Sequence, residues 1–142
     1  VYFITEVLER DRVNGLIQCV DALVSLHRAE GFGLVLAEAM YLGTPVIATG
    51  WSSNVEFMTG ETSCLVDYKI VEINEDVGFL KRGNHWAEPD VRQAAEYMKI
   101  LYRDPSYGNE LAYKAAEYVR ERLDMAHAVR TIIDRQSCIY RS

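Results

Sequence analysis

Two glutamates, Glu30 and Glu38, stand with seven residues between them in a largely apolar stretch, residues 28–50. A carboxylate accepts hydrogen bonds from hydroxyl groups, and a charged hydrogen bond of this kind in a partly dry cleft contributes about 1.5–3 kcal/mol. Hydroxyl groups are densest on sugars. The pair of acids therefore indicates a site for a sugar ring or a ribose.

The segment between the two acids begins "GFG" and then becomes helical in composition. Gly31 and Gly33 let a ligand approach the backbone, and the free N–H groups of a helix start attract phosphate. A strand is predicted to end near His27, and ligands of open α/β sheets gather at the carboxyl ends of strands. A phosphate with sugars on both sides describes a nucleotide sugar, which is the ligand class that this combination predicts.

The residues alone leave a second interpretation open. Glu38 as an ion-paired core acid, and glycines at an ordinary strand-to-helix turn, account for the same pattern. The loop by itself does not decide between a binding site and a purely structural turn.

The surrounding elements alternate between strand-like and helical patterns, which predicts parallel βαβ units. The fold class that follows is α/β, a Rossmann-like parallel sheet with flanking helices, with residues 1–142 as a single partial domain. Strands are predicted over 1–5, 21–27, 44–50 and 63–68, and helices over 9–20, 33–43, 90–102 and 109–135, the last with a break near Asp124. Residues 69–89, including "KRGNHWAEP", are predicted to be a long loop, and "RDPSYG" (103–108) a turn. Asp90 is expected to cap its helix with Gln93 as the reciprocal partner.

Composition narrows the function classes. The net charge of the 142 residues is -6 and no basic run appears, which argues against a nucleic-acid binder. No apolar run reaches the length of a membrane span, and three widely spaced cysteines (Cys19, Cys64 and Cys138) favour a reducing cytosol. The three histidines lack metal-ligand spacing, so neither a metal site nor a cofactor is predicted.

The stretch "EGFGLVLAE", followed by "AMYLGTPVIAT", resembles the E-x7-E signature of retaining GT-B glycosyltransferases, specifically glycosyltransferase family 4 ("group 1"). "GWSSNVEFM" and "SCLVDY" are similar to the loop and the strand that follow in that family. "WAEPD" before a helix resembles a subgroup that acts in bacterial surface polysaccharide assembly. The likeness covers most of the chain.

The resemblance implies a role for each candidate residue. Glu38 would bind the ribose hydroxyls of a UDP- or GDP-linked donor, and Glu30, the catalytic candidate, would contact the transferred sugar near the reacting carbon. The remaining donor-binding candidates hold the sugar, the diphosphate and the base: Gly31, Phe32, Gly33 and Leu34 at the helix start, and Thr5 and Val7 at the end of the first strand.

The chain also departs from the family pattern. The glycine-bearing loop and the Arg and Lys that neutralise the diphosphate are not visible before Val1, nor is the acceptor-binding N-terminal domain. We therefore expect the C-terminal part of a donor domain, inactive alone, whose saccharide or lipid-linked acceptor is held by the other domain. A cytoplasmic location, with the inner face of the membrane for the parent, and self-association through an exposed sheet edge are further expectations. The alternatives are a non-catalytic nucleotide or nucleotide-sugar binding module, and another GT-B enzyme such as a glycogen-type synthase or an epimerase.

Several other residues lie close to the expected site. His27 and Arg28 follow the strand and are candidates for contact with the ligand. Asn54 and Glu56, on the loop after the third strand, are either donor-sugar contacts or helix caps. Trp86 is expected to pack within its loop rather than to stack on a sugar.

Overall fold

The computed structural model describes residues 1–78 and 80–139. Its centre is a sheet of three parallel strands in the order β1-β2-β3, with Val24 opposite Ile47 and Ala48 opposite Leu65. The strands are β1 (Leu23–Ser25), β2 (Val46–Thr49) and β3 (Cys64–Val66). Every residue of β2 is buried, as expected for the middle strand of a sheet that is covered on both faces. The predicted α/β, Rossmann-like class is confirmed.

Helices flank the sheet and bury its apolar residues. They are α1 (Arg10–Gln18), α2 (Leu34–Tyr41), α3 (Val91–Arg103), α4 (Pro105–Arg122) and α5 (Met125–Ile139), with a short 3₁₀ turn at Ser53–Glu56. The largest core cluster joins α2 to β2 and α4 through Leu36, Met40, Val46 and Val119. The predicted break near Asp124 separates α4 from α5. Cys138 lies outside the described side chains.

The first predicted strand, residues 1–5, does not form. Val1, Tyr2 and Phe3 are almost fully exposed, and the sheet of the described residues ends at β1. β-branched and aromatic residues favour a strand only where a neighbouring strand and a buried face receive them. In the structure this run meets neither, so composition alone was misleading.

A β-hairpin replaces the loop predicted over residues 69–89. β4 (Tyr68–Glu72) pairs antiparallel with β5 (His85–Pro89), and Ile70 lies opposite Ala87. The residues of β5, "HWAEP", show neither a continuous apolar run nor a clear alternation of apolar and polar types, although the buried positions, Ala87 and Pro89, do alternate. The loop prediction for "HWAEP" was wrong.

The segment predicted as a turn, "RDPSYG", contains a helix start instead. Asp104 caps α4, and its carboxylate accepts a hydrogen bond of 3.1 Å from the N–H of Tyr107. Pro105 occupies the first helical position, where its missing N–H is not needed. The Pro-Ser pair that suggested a turn is thus the first turn of α4.

The cap predicted for α3 is present in part. The Asp90 carboxylate accepts from the N–H groups of Arg92 and Gln93 at 2.9 and 3.1 Å. Gln93 does not return the bond to Asp90, because its side chain bonds both the N–H and the carboxylate of Asp67. Among the described residues, no helix combines the length and the apolarity needed to cross a membrane.

Candidate functional site

The turn between β1 and α2 brings Glu30 and the glycines to the carboxyl end of the sheet. Glu30 is half-buried there, and its Oε1 accepts a 2.9 Å hydrogen bond from the N–H of Gly31. The Ser52 hydroxyl donates to the carbonyl oxygen of Glu30 at 2.5 Å, and the Ser53 hydroxyl donates to the carbonyl of Gly31. The loop that follows β2 is therefore hydrogen-bonded to the backbone of the loop that carries Glu30.

Gly33 occupies a position that only glycine fits well. Its φ of +86° lies in the left-handed region, where a side chain is strained. A Cβ there would also meet Leu36 Cδ1 at 3.2 Å and Asn54 Cβ at 3.4 Å. The glycine thus explains the sharp entry into α2 and the closeness of the chain at that point.

At the start of α2 the N–H groups of Leu34 and Val35 have no acceptor among the described residues, whereas the N–H of Leu36 donates to the Gly33 carbonyl oxygen at 2.9 Å. Gly33 is the N-cap residue, it provides no side-chain cap, and the first turn of α2 carries no acidic residue. The N–H groups of a first helical turn have no acceptor within the helix and carry partial positive charge. Phe32 and Leu34 flank this point with their side chains about half exposed. Three of the predicted donor-binding residues, Phe32, Gly33 and Leu34, are therefore adjacent at an accessible helix start.

Glu38 lies farther along α2 and is paired. Its Oε1 accepts a hydrogen bond from Nη2 of Arg10 on α1, and its side chain retains 18% of its exposure. Its second oxygen, Oε2, has no hydrogen-bond partner within the part of the chain that the structure describes. An ionised carboxylate has lone pairs for several donors, so Arg10 leaves room for a second donor. From Gly33 to Glu38 the helix rises by about 7 Å.

A groove of about 530 Å³ adjoins Glu38 and runs along α2 to Leu42. Its walls come from α1, α2 and the junction of α4 with α5. Asn14 lines it, and the Oδ1 atom of Asn14 is buried with no hydrogen-bond partner among the residues that the structure describes. Glu30 and Gly33 do not line this groove, so the two glutamates border different parts of the surface around α2.

Asn54 supports the site from the interior. It is fully buried below Gly33, and its Nδ2 donates to the carbonyl oxygen of Thr49 at 3.0 Å. Its Oδ1 is buried without a partner among the described residues. It lies within the 3₁₀ turn and is not that turn's cap, while Glu56, at the end of the turn, is exposed.

His27 and Arg28 are both engaged with the protein. The His27 nitrogens lie 3.3 Å from Ser25 Oγ and 3.0 Å from the Trp51 carbonyl oxygen. Arg28 contacts Glu88 of β5, and its guanidinium lies 4.6 Å from the centre of the Trp86 ring. Arg28 holds the pKa of the Glu88 carboxyl below its usual value through this hydrogen bond. Trp86 thus packs against Arg28.

Thr5 and Val7 are not placed at a strand end. Residues 1–7 form no strand, and Val7 is fully exposed. Their predicted role in binding the base stays a prediction, but the position predicted for them, at a strand end, was wrong. The physical reason is the missing strand, since only a strand beside β1 would bring these residues to the carboxyl edge of the sheet.

Sequence reasoning missed four residues that shape the site: Arg10, Ser52, Ser53 and Glu88. A pair of serines in a loop and an arginine at a helix start are too common to stand out in a sequence. Ser52 has one unusual feature, a φ of +82°, which only the structure reveals. Within the described ranges, no three His, Cys, Asp or Glu side chains are grouped closely enough to hold a metal ion.

Comparison with known proteins gives two matches. A family model described as "Glycosyl transferases group 1" matches residues 1–79, the part that holds β1, α2 and both glutamates. Over 122 residues the chain is 28% identical to a protein named trehalose synthase from Pyrococcus horikoshii, an alignment that covers 86% of this chain and 24% of that protein. The chain thus spans about a quarter of the length of this curated relative.

Proposed function

This chain belongs to the glycosyl transferases group 1 family, and from that premise we propose that it binds the nucleotide-sugar donor of a retaining GT-B glycosyltransferase at the start of α2. In this proposal residues 1–142 form part of the donor-binding domain. The observation that carries it is the uncapped start of α2, which lies between two acids with different surroundings, Glu30 in the preceding loop and Glu38 on the helix.

The diphosphate is assigned to the N–H groups at the start of α2. Phosphate binds such helix starts because the unpaired N–H groups point at it and the helix dipole favours negative charge. The absence of an acid from the first turn of α2 supports this assignment, since a carboxylate there would repel the ligand. Gly31 is exposed and leaves the backbone accessible just before this point, whereas Gly33 is buried.

The two sugars are assigned to the two glutamates. Glu38 receives the ribose hydroxyls through Oε2, while Oε1 stays with Arg10. Glu30 receives hydroxyls of the transferred sugar, because it precedes the helix start and therefore lies on the other side of the diphosphate. The order ribose, diphosphate, sugar thus follows the chain from Glu38 back to Glu30.

The reaction that this arrangement serves is transfer of the sugar from the nucleotide to an acceptor hydroxyl. The bond from the anomeric carbon to the diphosphate oxygen breaks as a bond from that carbon to the acceptor oxygen forms. The nucleoside diphosphate leaves with the bonding electrons and takes up the proton of the acceptor hydroxyl. Hydrogen-bond donors that already point at the developing negative charge are usually the largest single source of catalysis in such reactions. The N–H groups at the start of α2 would supply that stabilisation, and front-side attack with retention is the family expectation that we adopt.

The acceptor is a saccharide or a lipid-linked glycan, and bacterial surface polysaccharide assembly in the cytoplasm is the setting that the "WAEPD" resemblance favours. Transfer requires the donor and the acceptor to be held together across a cleft. We assign only the donor half to this chain, so we propose that the purified 142-residue chain binds donors without transferring sugar.

The experiment is ligand-observed NMR of the purified chain with UDP, GDP and ADP and with UDP-glucose, GDP-mannose and ADP-glucose. Selective saturation transfer from the folded chain to one nucleotide supports the proposal and identifies the base. A folded chain that binds none of the six probes contradicts it. Incorporation of radioactive sugar into an acceptor by the chain alone would overturn the restriction to donor binding.

A further inference from the structure

Two side chains of strand β5, Trp86 and Glu88 of the "WAEPD" segment, hold Arg28, which lies two residues before Glu30. Nε of Arg28 donates to Glu88 Oε2 at 2.6 Å and Nη2 donates to Glu88 Oε1 at 2.8 Å. The same guanidinium stacks on Trp86, 4.6 Å from the ring centre. Trp86 and Glu88 alternate along β5 and therefore share one face of the hairpin.

The main chain adds a third attachment. The N–H of Ala87 donates to the carbonyl oxygen of Arg28 at 3.0 Å, so the backbone of the loop that carries Glu30 is hydrogen-bonded to β5. On the other side of the loop, the Ser52 hydroxyl donates to the carbonyl oxygen of Glu30 at 2.5 Å. Glu30 thus lies between an attachment to the hairpin and an attachment to the loop after β2.

The attachment of Arg28 is better suited to orientation than to stability. Arg28 and Glu88 keep 48% and 40% of their side-chain exposure, and exposed ion pairs contribute little to folding. A bidentate pair stacked on an aromatic ring does fix the direction of the guanidinium. The attachment of Arg28 therefore fixes the course of the backbone from Arg28 to Glu30.

We propose that the β4–β5 hairpin is a positioning element that holds Glu30 for the transferred sugar through Arg28, Trp86 and Glu88. The inference rests on the proposed donor site and extends it by assigning a role to a segment that the function left unused. Glu88 and Arg28 act through Glu30 and are positioning residues. The nucleotide half of the donor, assigned to Glu38 and the start of α2, does not depend on the hairpin.

The test compares a nucleotide sugar with its bare nucleotide, using whichever pair the chain binds, UDP-glucose with UDP for example. Glu88→Gln and Arg28→Lys are expected to leave the Kd of the bare nucleotide unchanged. They are expected to weaken the nucleotide sugar by about three- to tenfold, the effect of one displaced hydrogen bond. Saturation transfer to the sugar protons should fall relative to the base protons in the same variants.

The matched control is Glu96→Gln, which removes the partner of Lys99 in another exposed ion pair, on α3. It should change neither Kd. Equal Kd values for the nucleotide sugar in the wild-type chain and in Glu88→Gln overturn the inference, as does an equal loss for both ligands, since that outcome describes a merely structural role. Failure of the wild-type chain to bind the bare nucleotide is a different result, which overturns the donor site itself and the inference with it.

Discussion

Arg28 and Glu88 lie 60 positions apart in the chain, and the guanidinium of one donates two hydrogen bonds to the carboxylate of the other, at 2.6 and 2.8 Å. This pair joins the loop that carries Glu30 to the hairpin that follows the parallel sheet. It connects two parts of the sequence that the resemblance to the family presents as separate motifs, the E-x7-E signature and "WAEPD".

The ion pair between Arg28 and Glu88 predicts how the Glu88 carboxyl titrates. Arg28 lowers the pKa of the Glu88 carboxyl, so folding favours its ionised form. The contribution of the pair to stability is then present above the ordinary glutamate pKa and is lost as the pH falls through the lowered value. A carbon-detected NMR titration of Glu88 should give a midpoint below the ordinary value, and Arg28→Gln should raise it toward that value. An unchanged midpoint in Arg28→Gln would contradict the pairing in solution.

Substitution by alanine is predicted to affect stability differently at the two glycines of the turn, Gly33 and Gly31. Gly33→Ala forces a side chain to φ +86° and against Leu36 and Asn54, so it should cost about 1–2 kcal/mol or more and lower the Tm by several degrees. Gly31→Ala is the control, because a Cβ there meets nothing within 4 Å and its φ is not in the left-handed region. Thermal unfolding followed by circular dichroism measures both. Equal Tm values for the two variants would show that the entry into α2 differs from the one described.

The cysteines differ in predicted reactivity. Cys64 on β3 is buried, which raises its thiol pKa to about 11, whereas Cys19 is exposed. The thiolate is the reactive form, so iodoacetamide at neutral pH should modify Cys19 well before Cys64. Peptide mass spectrometry identifies each site, and the chain in denaturant is the control in which the two rates converge. Rapid modification of Cys64 in the folded chain would contradict its burial.

The parallel sheet was predictable because its signals are local. "TPVIATG" and "SCLVDY" are short apolar runs bounded by turn residues, and a helix of suitable length lies between the first two strands of the sheet. The break near Asp124 and the cap at Asp90 depend on polar residues whose hydrogen bonds reach only two or three positions along the chain. Such features need no knowledge of distant partners.

The errors arose where a distant partner decides the structure. Residues 1–5 have strand composition but no neighbouring strand, whereas His85–Pro89 has weak strand composition and becomes a strand because β4 pairs with it. The site shows the same division. The turn, the glycines and both acids were apparent from the sequence, but the pairing of Glu38 with Arg10 and of Arg28 with Glu88 joins residues 28 and 60 positions apart.

The most direct test of the donor site is the effect of Glu38→Gln on nucleotide affinity, measured by isothermal titration calorimetry. Loss of a charged hydrogen bond to the ribose should weaken binding by about 10- to 100-fold with little change in Tm. Glu110→Gln on α4 is the matched control, because it also separates a carboxylate from its cation, Lys114, away from the site. Weaker binding in Glu38→Gln alone supports the assignment of Glu38 to the ribose. Unchanged affinity would contradict that assignment. A loss of binding that is explained entirely by unfolding of Glu38→Gln would also contradict it, and Glu38 would then be a structural partner of Arg10.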